Sequence, residues 1–192
     1  MARPKEFDPE VAVEQAMEVF WRKGYGATTP QDLVDALGIG KGSLYNAFGS
    51  KHGLFERALR RYRDTQTAAL VEMLEQPGPV KERLGRVLRL LAEMDLADPD
   101  RRGCMAVNTA AELARADPEA TEHVRRMLDR TEGAFRELIR EGQRSGEIDA
   151  GRNAAALGSL LMNTVVGTRI VARVAEGPER LDRVISAAID CL

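Results

Sequence analysis

Residues 28 to 54 form the stretch that most constrains what this chain can fold into. Thr29 suits a helix cap, and Pro30 suits the first helical position, where the backbone needs no amide donor. Gly38 suits the left-handed residue that ends a helix, and a second short helix is predicted over 41–48. Two short helices around a glycine turn predict a helix-turn-helix motif, whose second helix can enter a DNA major groove.

The run GIGKGSLYNAFGSKHGLF, with Thr28 and Thr29 upstream, resembles the DNA-binding segment of TetR/AcrR-type transcriptional regulators. The resemblance is specific in order and spacing over about 7–59, and beyond that it concerns mainly architecture. It implies a regulator, typically a repressor, that binds a near-palindromic double-stranded DNA operator as a homodimer. It also implies release by a small-molecule effector, whose identity the sequence does not name.

The rest of the chain has the pattern of an all-α protein. Its eight prolines fall at proposed helix starts or in breaks, which fits because proline is costly inside a helix. About nine helices are expected, over 9–23, 30–37, 41–48, 50–75, 80–97, 102–116, 118–145, 152–175 and 178–191. The predicted division is an N-terminal three-helix DNA-binding domain over 1–52 and a C-terminal helical effector-binding and dimerisation domain over 53–192, connected by the long helix over 50–75.

Composition excludes several classes of protein. The 192 residues carry a net charge of −2, with 30% charged and 44% hydrophobic residues, as in soluble globular proteins. No signal peptide is recognised and no apolar run is expected to reach membrane-spanning length, which predicts a cytoplasmic protein without a membrane partner. Phosphate-loop and metal motifs are absent, and the only histidines and cysteines are His52, His123, Cys104 and Cys191. We therefore expect no cofactor, no metal site of a usual kind and no enzymatic activity, and we expect His52 to be solvated.

The predicted second helix of the motif exposes groups that can read DNA. Asn46 can pair with an adenine edge and Lys41 with guanine or phosphate, while the resemblance also places Ser43 in the groove. The alternative is a plain helical hairpin with a solvated polar face. The full set of predicted DNA contacts is Thr28, Thr29, Lys41, Gly42, Ser43, Tyr45, Asn46 and Lys51.

Two further features of the motif concern the DNA backbone. The resemblance assigns phosphate contacts to Thr29, Tyr45 and Lys51, and Lys51 opens a helix whose amides favour an anion. Arg3 and Lys5 form a short basic arm that can lie against phosphate or simply be disordered.

A sensing pocket is predicted in the C-terminal part. Methionines adapt to varied ligand shapes, and eight of the nine aromatic residues lie in the first third of the chain. We therefore expect an aliphatic or Met-lined pocket with few polar groups, although an ordinary core is the alternative for each residue taken alone. The candidate residues are Met94, Cys104, Met105, Asn108, Glu112, Met127, Phe135 and Met162.

Cys104 supports a separate hypothesis. The run RGCMAVNTAAELA resembles the start of a ligand-domain helix in one branch of the family, which includes a copper-responsive regulator. A metal- or redox-responsive regulator that uses Cys104 is therefore an alternative to an effector-responsive one. A helical enzyme that carries a helix-turn-helix and a DNA-binding dimer without an effector are two more functions compatible with the sequence.

The predicted helix over 152–175 is apolar or small nearly all round, so it needs partners on more than one side. With the last helix it forms a face that can pair with its symmetry mate in a four-helix bundle. The alternative is an intramolecular core. The predicted interface residues are Leu157, Leu161, Leu181, Val184, Ile185 and Ala188.

Overall fold

A computed structural model describes residues 7–192, so the predicted arm at Arg3 and Lys5 lies outside the described residues. Over 7–192 the chain forms nine α-helices and no strand, which confirms the all-α prediction. The helices are α1 Pro9–Lys23, α2 Pro30–Leu37, α3 Lys41–Phe48, α4 Lys51–Leu74, α5 Val80–Ala97, α6 Met105–Leu113, α7 Pro118–Ser145, α8 Ala154–Val171 and α9 Glu179–Asp190.

Local capping chemistry fixes most of these boundaries. The Thr29 hydroxyl accepts from the Asp32 amide while the Asp32 carboxylate accepts from the Thr29 amide, which is a reciprocal capping box at the start of α2. Gly38 ends α2 in the left-handed conformation, with φ 63°, which glycine adopts without steric cost. The Ser50 hydroxyl likewise accepts from the Gly53 amide at the start of α4.

Helices α6 and α8 are shorter than predicted. Helix α6 begins at Met105 because the Asp98 carboxylate accepts from the Arg102 amide and holds the chain in a turn. Helix α8 begins at Ala154 because the Asn153 side chain caps it, accepting from two following amides. The predicted helices ran a few residues past both ends of α6 and of α8, because the flanking residues are also compatible with a helix.

Buried residues form two hydrophobic cores. The first core joins α1, α2, α3 and the first half of α4 to α6 and the start of α7, and Tyr62 is its largest fully buried side chain. The second core joins the end of α4 and the later part of α7 to α5, α8 and α9. The first core therefore continues past residue 52, so the predicted domain division at that point runs through continuous packing.

Helix α8 corrects the expectation that no apolar run reaches membrane-spanning length. Its 18 residues, Ala154–Val171, have a mean hydropathy of 1.4 and are long and apolar enough to cross a membrane. Only 44% of them are buried, and the buried side packs against α7 and α9. The core helix of a soluble protein can be equally long and apolar. Part of the apolar surface of α8 nevertheless remains exposed in a single chain.

Candidate DNA-binding site

Helix α3 has one buried and one exposed face. Leu44 and Phe48 are buried in the first core and hold the helix against α2 and α4. Lys41, Ser43 and Asn46 are exposed on the other side. Gly42 is also exposed, and Tyr45 is half-buried with its ring packed against the first core. This face offers an ammonium, a hydroxyl and a carboxamide, the groups that hydrogen-bond base edges and phosphates.

The start of α2, which precedes α3 in the chain, carries Thr29 and Asp32. A hydrogen bond from Lys23, at 2.6 Å, and further ones from Thr29 lower the pKa of Asp32 to about 2. The carboxylate is therefore ionised at neutral pH and is held by a lysine. Thr29 is exposed, and its hydroxyl both caps α2 and bonds Asp32.

Thr28 corrects the prediction that its side chain is available for DNA. The residue is 1% exposed, and its hydroxyl donates to the Gly24 carbonyl at 2.6 Å. Its hydrogen-bonding capacity is thus used within the 24–28 loop that precedes α2. Thr28 shapes this loop, and it does not present its side chain at the surface.

Lys51 is bound to the same loop. Its ammonium donates to the carbonyls of Tyr25 and Thr28, each at 2.9 Å, and lies 4.1 Å from the centroid of the Tyr25 ring. The sequence predicted a phosphate contact and did not predict this role. An ammonium has three donors, so one remains after the two carbonyls are bound.

The other side of the 24–28 loop is held by α6. The Glu112 carboxylate accepts from the amides of Tyr25 at 3.0 Å and Gly26 at 2.5 Å. Glu112 is exposed and was predicted to line an effector pocket. The structure instead places it where it connects α6 to the loop before α2.

Two more contacts connect the same parts of the molecule. The Trp21 indole donates to the Gly103 carbonyl at 2.9 Å, and the Arg102 guanidinium lies 4.2 Å from the Trp21 ring centroid. His52 Nε2 lies 2.7 Å from Asp117 Oδ2 while its side chain remains 36% exposed, so the histidine is partly solvated and also paired with a carboxylate, which was not predicted. We call α1–α3 the head, and we call the contacts made by Trp21, the 24–28 loop and His52 with residues of 102–117 the joint.

Comparison with known proteins places this arrangement in a family. Residues 12–58 match the family described as bacterial regulatory proteins, tetR family, and residues 91–188 match the tetracyclin repressor-like C-terminal domain. The chain is 32% identical over 194 residues to the uncharacterized HTH-type transcriptional regulator YezE of Bacillus subtilis, covering 100% of both chains. The protein belongs to the TetR family. It is a helix-turn-helix transcriptional regulator, as the motif and the resemblance predicted.

Other TetR family members extend the comparison. The HTH-type transcriptional repressor BdcR of Escherichia coli is 38% identical over 120 residues, which are 62% of this chain and 59% of BdcR. A cysteine mutant of the TetR family regulator CifR, solved with 26bp double-strand operator DNA, is 30% identical with a TM-score of 0.84. The match covers 98% of both chains.

The eight residues predicted to line an effector pocket are spread over the two cores and the surface of this TetR family protein. Met94 is 50% exposed, and Asn108 is half-buried, donating to the Arg102 carbonyl and accepting from Arg173. The remaining residues besides Glu112 are buried. Cys104, Met105 and Met127 belong to the first core, and Phe135 and Met162 belong to the second.

Cys104 lies under the joint in a fully enclosed setting. The Tyr62 hydroxyl donates to Cys104 Sγ at 3.5 Å and accepts from the Met105 amide at 3.2 Å. Burial raises the pKa of Tyr62 well above its usual value. Because reactive thiols are usually accessible, this burial does not favour the hypothesis that Cys104 is a redox sensor.

The predicted dimer residues mostly face inward. Leu157, Leu161, Leu181, Ile185 and Ala188 are buried in the second core of a single chain, and only Val184 is substantially exposed. The exposed apolar residues of this region are Leu160, Ile170 and Val174, the last 81% exposed. Leu160 and Val184 also border a cavity of about 360 Å³ between α8 and α9. The sequence pattern could not separate the two sides because α8 is apolar on both.

Proposed function

We propose that this protein is a repressor that binds a near-palindromic operator as a homodimer and is released by a small-molecule effector. The observation that carries the proposal is the exposed polar face of α3, held in place by Leu44 and Phe48. The fold supports it, because a protein 30% identical over nearly the whole chain was solved with operator DNA.

In this proposal α3 lies in the major groove. Ser43 and Asn46 hydrogen-bond base edges, Lys41 contacts a guanine edge or a phosphate, and exposed Gly42 lets the helix backbone approach the DNA. Tyr45 and Thr29 contact phosphates. Lys51 holds the 24–28 loop with two of its hydrogens and directs the third to a phosphate.

The dimer is proposed to form through the exposed sides of α8 and α9. Leu160, Ile170, Val174 and Val184 are large apolar side chains left in water in a single chain, and burying them against a second copy is favourable. A two-fold dimer reads two half-sites one DNA turn apart when its α3 helices are separated by about 34–36 Å. Sedimentation equilibrium tests this: Val184→Glu should give monomers, whereas Val11→Glu, an equally exposed valine on α1, should not.

Release is proposed to act through the joint. An effector can shift the equilibrium only if it binds one arrangement of the head better than the other. Cys104, Met105 and Met127 lie in the core directly beneath the joint, so they are our first candidates for the pocket lining. A ligand that moves α6 would carry Glu112 with it and thereby move the loop that positions α2.

The test begins with selection of bound sequences from a random double-stranded DNA library, followed by fluorescence anisotropy on the selected site at several salt concentrations. Asn46→Ala should cost about 1–3 kcal/mol of operator affinity. Lys41→Ala should also reduce the salt dependence by roughly one phosphate contact. Arg130→Ala, an exposed arginine in the middle of α7, is the charge control. Weak binding that is equal on all DNA and unchanged by the α3 substitutions would refute the proposal.

A further inference from the structure

A cluster of metal-ligating side chains that the proposed DNA contacts do not use lies at the edge of the joint and shares His52 with it. One ring nitrogen of His52 and carboxylate oxygens of Glu56 and Glu119 all lie within 4.8 Å of one another. His52 and Glu56 are one helical turn apart on α4, and Glu119 is in the first turn of α7. The cluster therefore connects the helix that leaves the head to the longest helix behind it.

The hydrogen bond between His52 and Asp117 sets the tautomer of the imidazole. The other oxygen of the Asp117 carboxylate accepts from the Ala120 amide at 2.9 Å. Asp117 is thus a carboxylate that can only accept, so the hydrogen in the 2.7 Å contact is on His52 Nε2. In the neutral ring, Nδ1 then carries the lone pair.

That lone pair faces negative charge. His52 Nδ1 lies 3.7 Å from Glu56 Oε2, and this pair is favourable when either a proton on Nδ1 or a bound cation lies between the two groups. Carboxylate oxygens of Glu56 and Glu119 lie within 4.8 Å of each other and of a His52 ring nitrogen. The three groups converge on a point where a positive ion would satisfy all of them.

The spacing and the surroundings suit a metal ion. Zinc binds imidazole nitrogen and carboxylate oxygen at about 2.0–2.2 Å, so its ligand atoms lie roughly 3–4 Å apart. A histidine that donates its second ring hydrogen to a carboxylate is the usual outer-shell arrangement of such sites. A cleft of about 540 Å³ lined by Tyr25, His52 and Glu119 adjoins the cluster and would admit water to a fourth position.

We propose that His52 Nδ1, Glu56 and Glu119 form a binding site for a divalent transition-metal ion of the zinc class, with Asp117 as the positioning residue. One nitrogen and two carboxylates favour zinc and its neighbours over softer or harder ions. Because the ligands come from α4 and α7, a bound ion would fix the joint. No sequence pattern indicated the site, because Glu119 is far from the other two ligands in the chain.

Isothermal titration calorimetry of Zn²⁺ into the chelator-treated full chain tests the proposal. All proteins carry Cys191→Ser, because Cys191 is an exposed free thiol and thiolates are zinc ligands. We expect one ion per chain and at least a tenfold loss of affinity in His52→Ala and in Glu119→Gln. Glu119 is exposed, so its substitution should leave the fold intact, and circular dichroism without metal checks this for both.

Two more variants separate a built site from general carboxylate binding. Asp117→Asn keeps a good cap for α7 but alters the partner of His52 Nε2, so it should weaken binding by about 10–100-fold. His123→Ala, which removes the other histidine, should change nothing. Equal affinity in wild type, His52→Ala and Glu119→Gln, or no zinc binding by the wild type, would overturn the proposal.

Discussion

The DNA-facing side of α3 and the joint are built in opposite ways. The α3 face comes from eight consecutive residues, with Leu44 and Phe48 as anchors on one side and the polar groups on the other. The joint comes from residues far apart in the chain, separated by 82 positions for Trp21 and Gly103 and by 65 for His52 and Asp117. The part proposed to meet DNA is therefore local, and the part proposed to control it depends on tertiary structure.

The forces that hold the two regions also differ. Removing a large buried side chain from a core costs about 2–5 kcal/mol, whereas a hydrogen bond contributes about 0.5–1.5 kcal/mol net. The α3 face is anchored by core packing, and the joint is held by polar contacts that are exposed or half-buried. Breaking the polar contacts of the joint should consequently cost less than removing an anchor of α3, while the apolar packing of the first core still joins the head to α6.

The largest expected effect tests the anchoring of the α3 face. Leu44 is fully buried, so Leu44→Ala should lower the free energy of unfolding by about 2–5 kcal/mol, measured by urea denaturation. Ser43→Ala, the exposed neighbour on the same helix, should change stability by no more than about 0.5 kcal/mol. A small loss in Leu44→Ala would mean that α3 is held mainly by other contacts, and the contrast with the joint would disappear.

The sequence predicted the α3 face well because its determinants are local. The Thr29 cap, the glycine turn after Leu37 and the buried positions of α3 each follow from residues within one or two helical turns. The joint could not be predicted in this way. Nothing near Glu112 in the chain indicates that its carboxylate binds the amides of Tyr25 and Gly26.

The interface prediction failed for a different reason. Helix α8 has apolar side chains all round, so periodicity shows that it has two apolar sides and does not say which one faces the chain's own core. Leu161 is fully buried while Leu160, its neighbour, is exposed. Only packing against α7 and α9 decides between them.

Lys51 lies between the two regions and gives the next largest effect. Lys51→Met removes two charge-assisted hydrogen bonds to the 24–28 loop and should cost about 1–2 kcal/mol of stability, less than two fully buried bonds would. Lys41→Met, on the exposed face, should leave stability nearly unchanged and lower operator affinity. Anisotropy titrations at several salt concentrations then show whether Lys51 acts by holding the 24–28 loop or by contacting a phosphate, because only a phosphate contact changes the salt dependence of operator affinity. If the salt slope falls in Lys51→Met with no loss of stability, Lys51 belongs to the α3 face alone.

A smaller effect isolates the α6 contact of the joint. Glu112→Gln weakens the bonds to two loop amides and should cost about 0.5–1 kcal/mol, because the contact is exposed. A Cβ at Gly26 would lie 2.8 Å from Glu112 Oε1, so Gly26→Ala should displace the same carboxylate. Urea denaturation of the two single variants and the double variant should therefore show less than additive losses. Additive losses would show that the two residues do not act through one contact.

The smallest expected effect concerns the charge of Asp32 at the start of α2, in the head. Hydrogen bonds from Lys23 and from Thr29 lower the pKa of Asp32 to about 2. A carboxyl group with a depressed folded pKa adds stability above its unfolded pKa of about 4, and this contribution is lost as the pH falls towards the folded value.

Asp32→Asn should thus be slightly less stable than wild type in urea at pH 6, and the difference should shrink as the pH falls below about 4. The difference stays small because the carboxylate is partly exposed to solvent. In a Lys23→Met background the same substitution should cost less at about pH 6, since the largest cause of the pKa shift is gone. An unchanged cost there would assign the contribution to the Thr29 capping box alone.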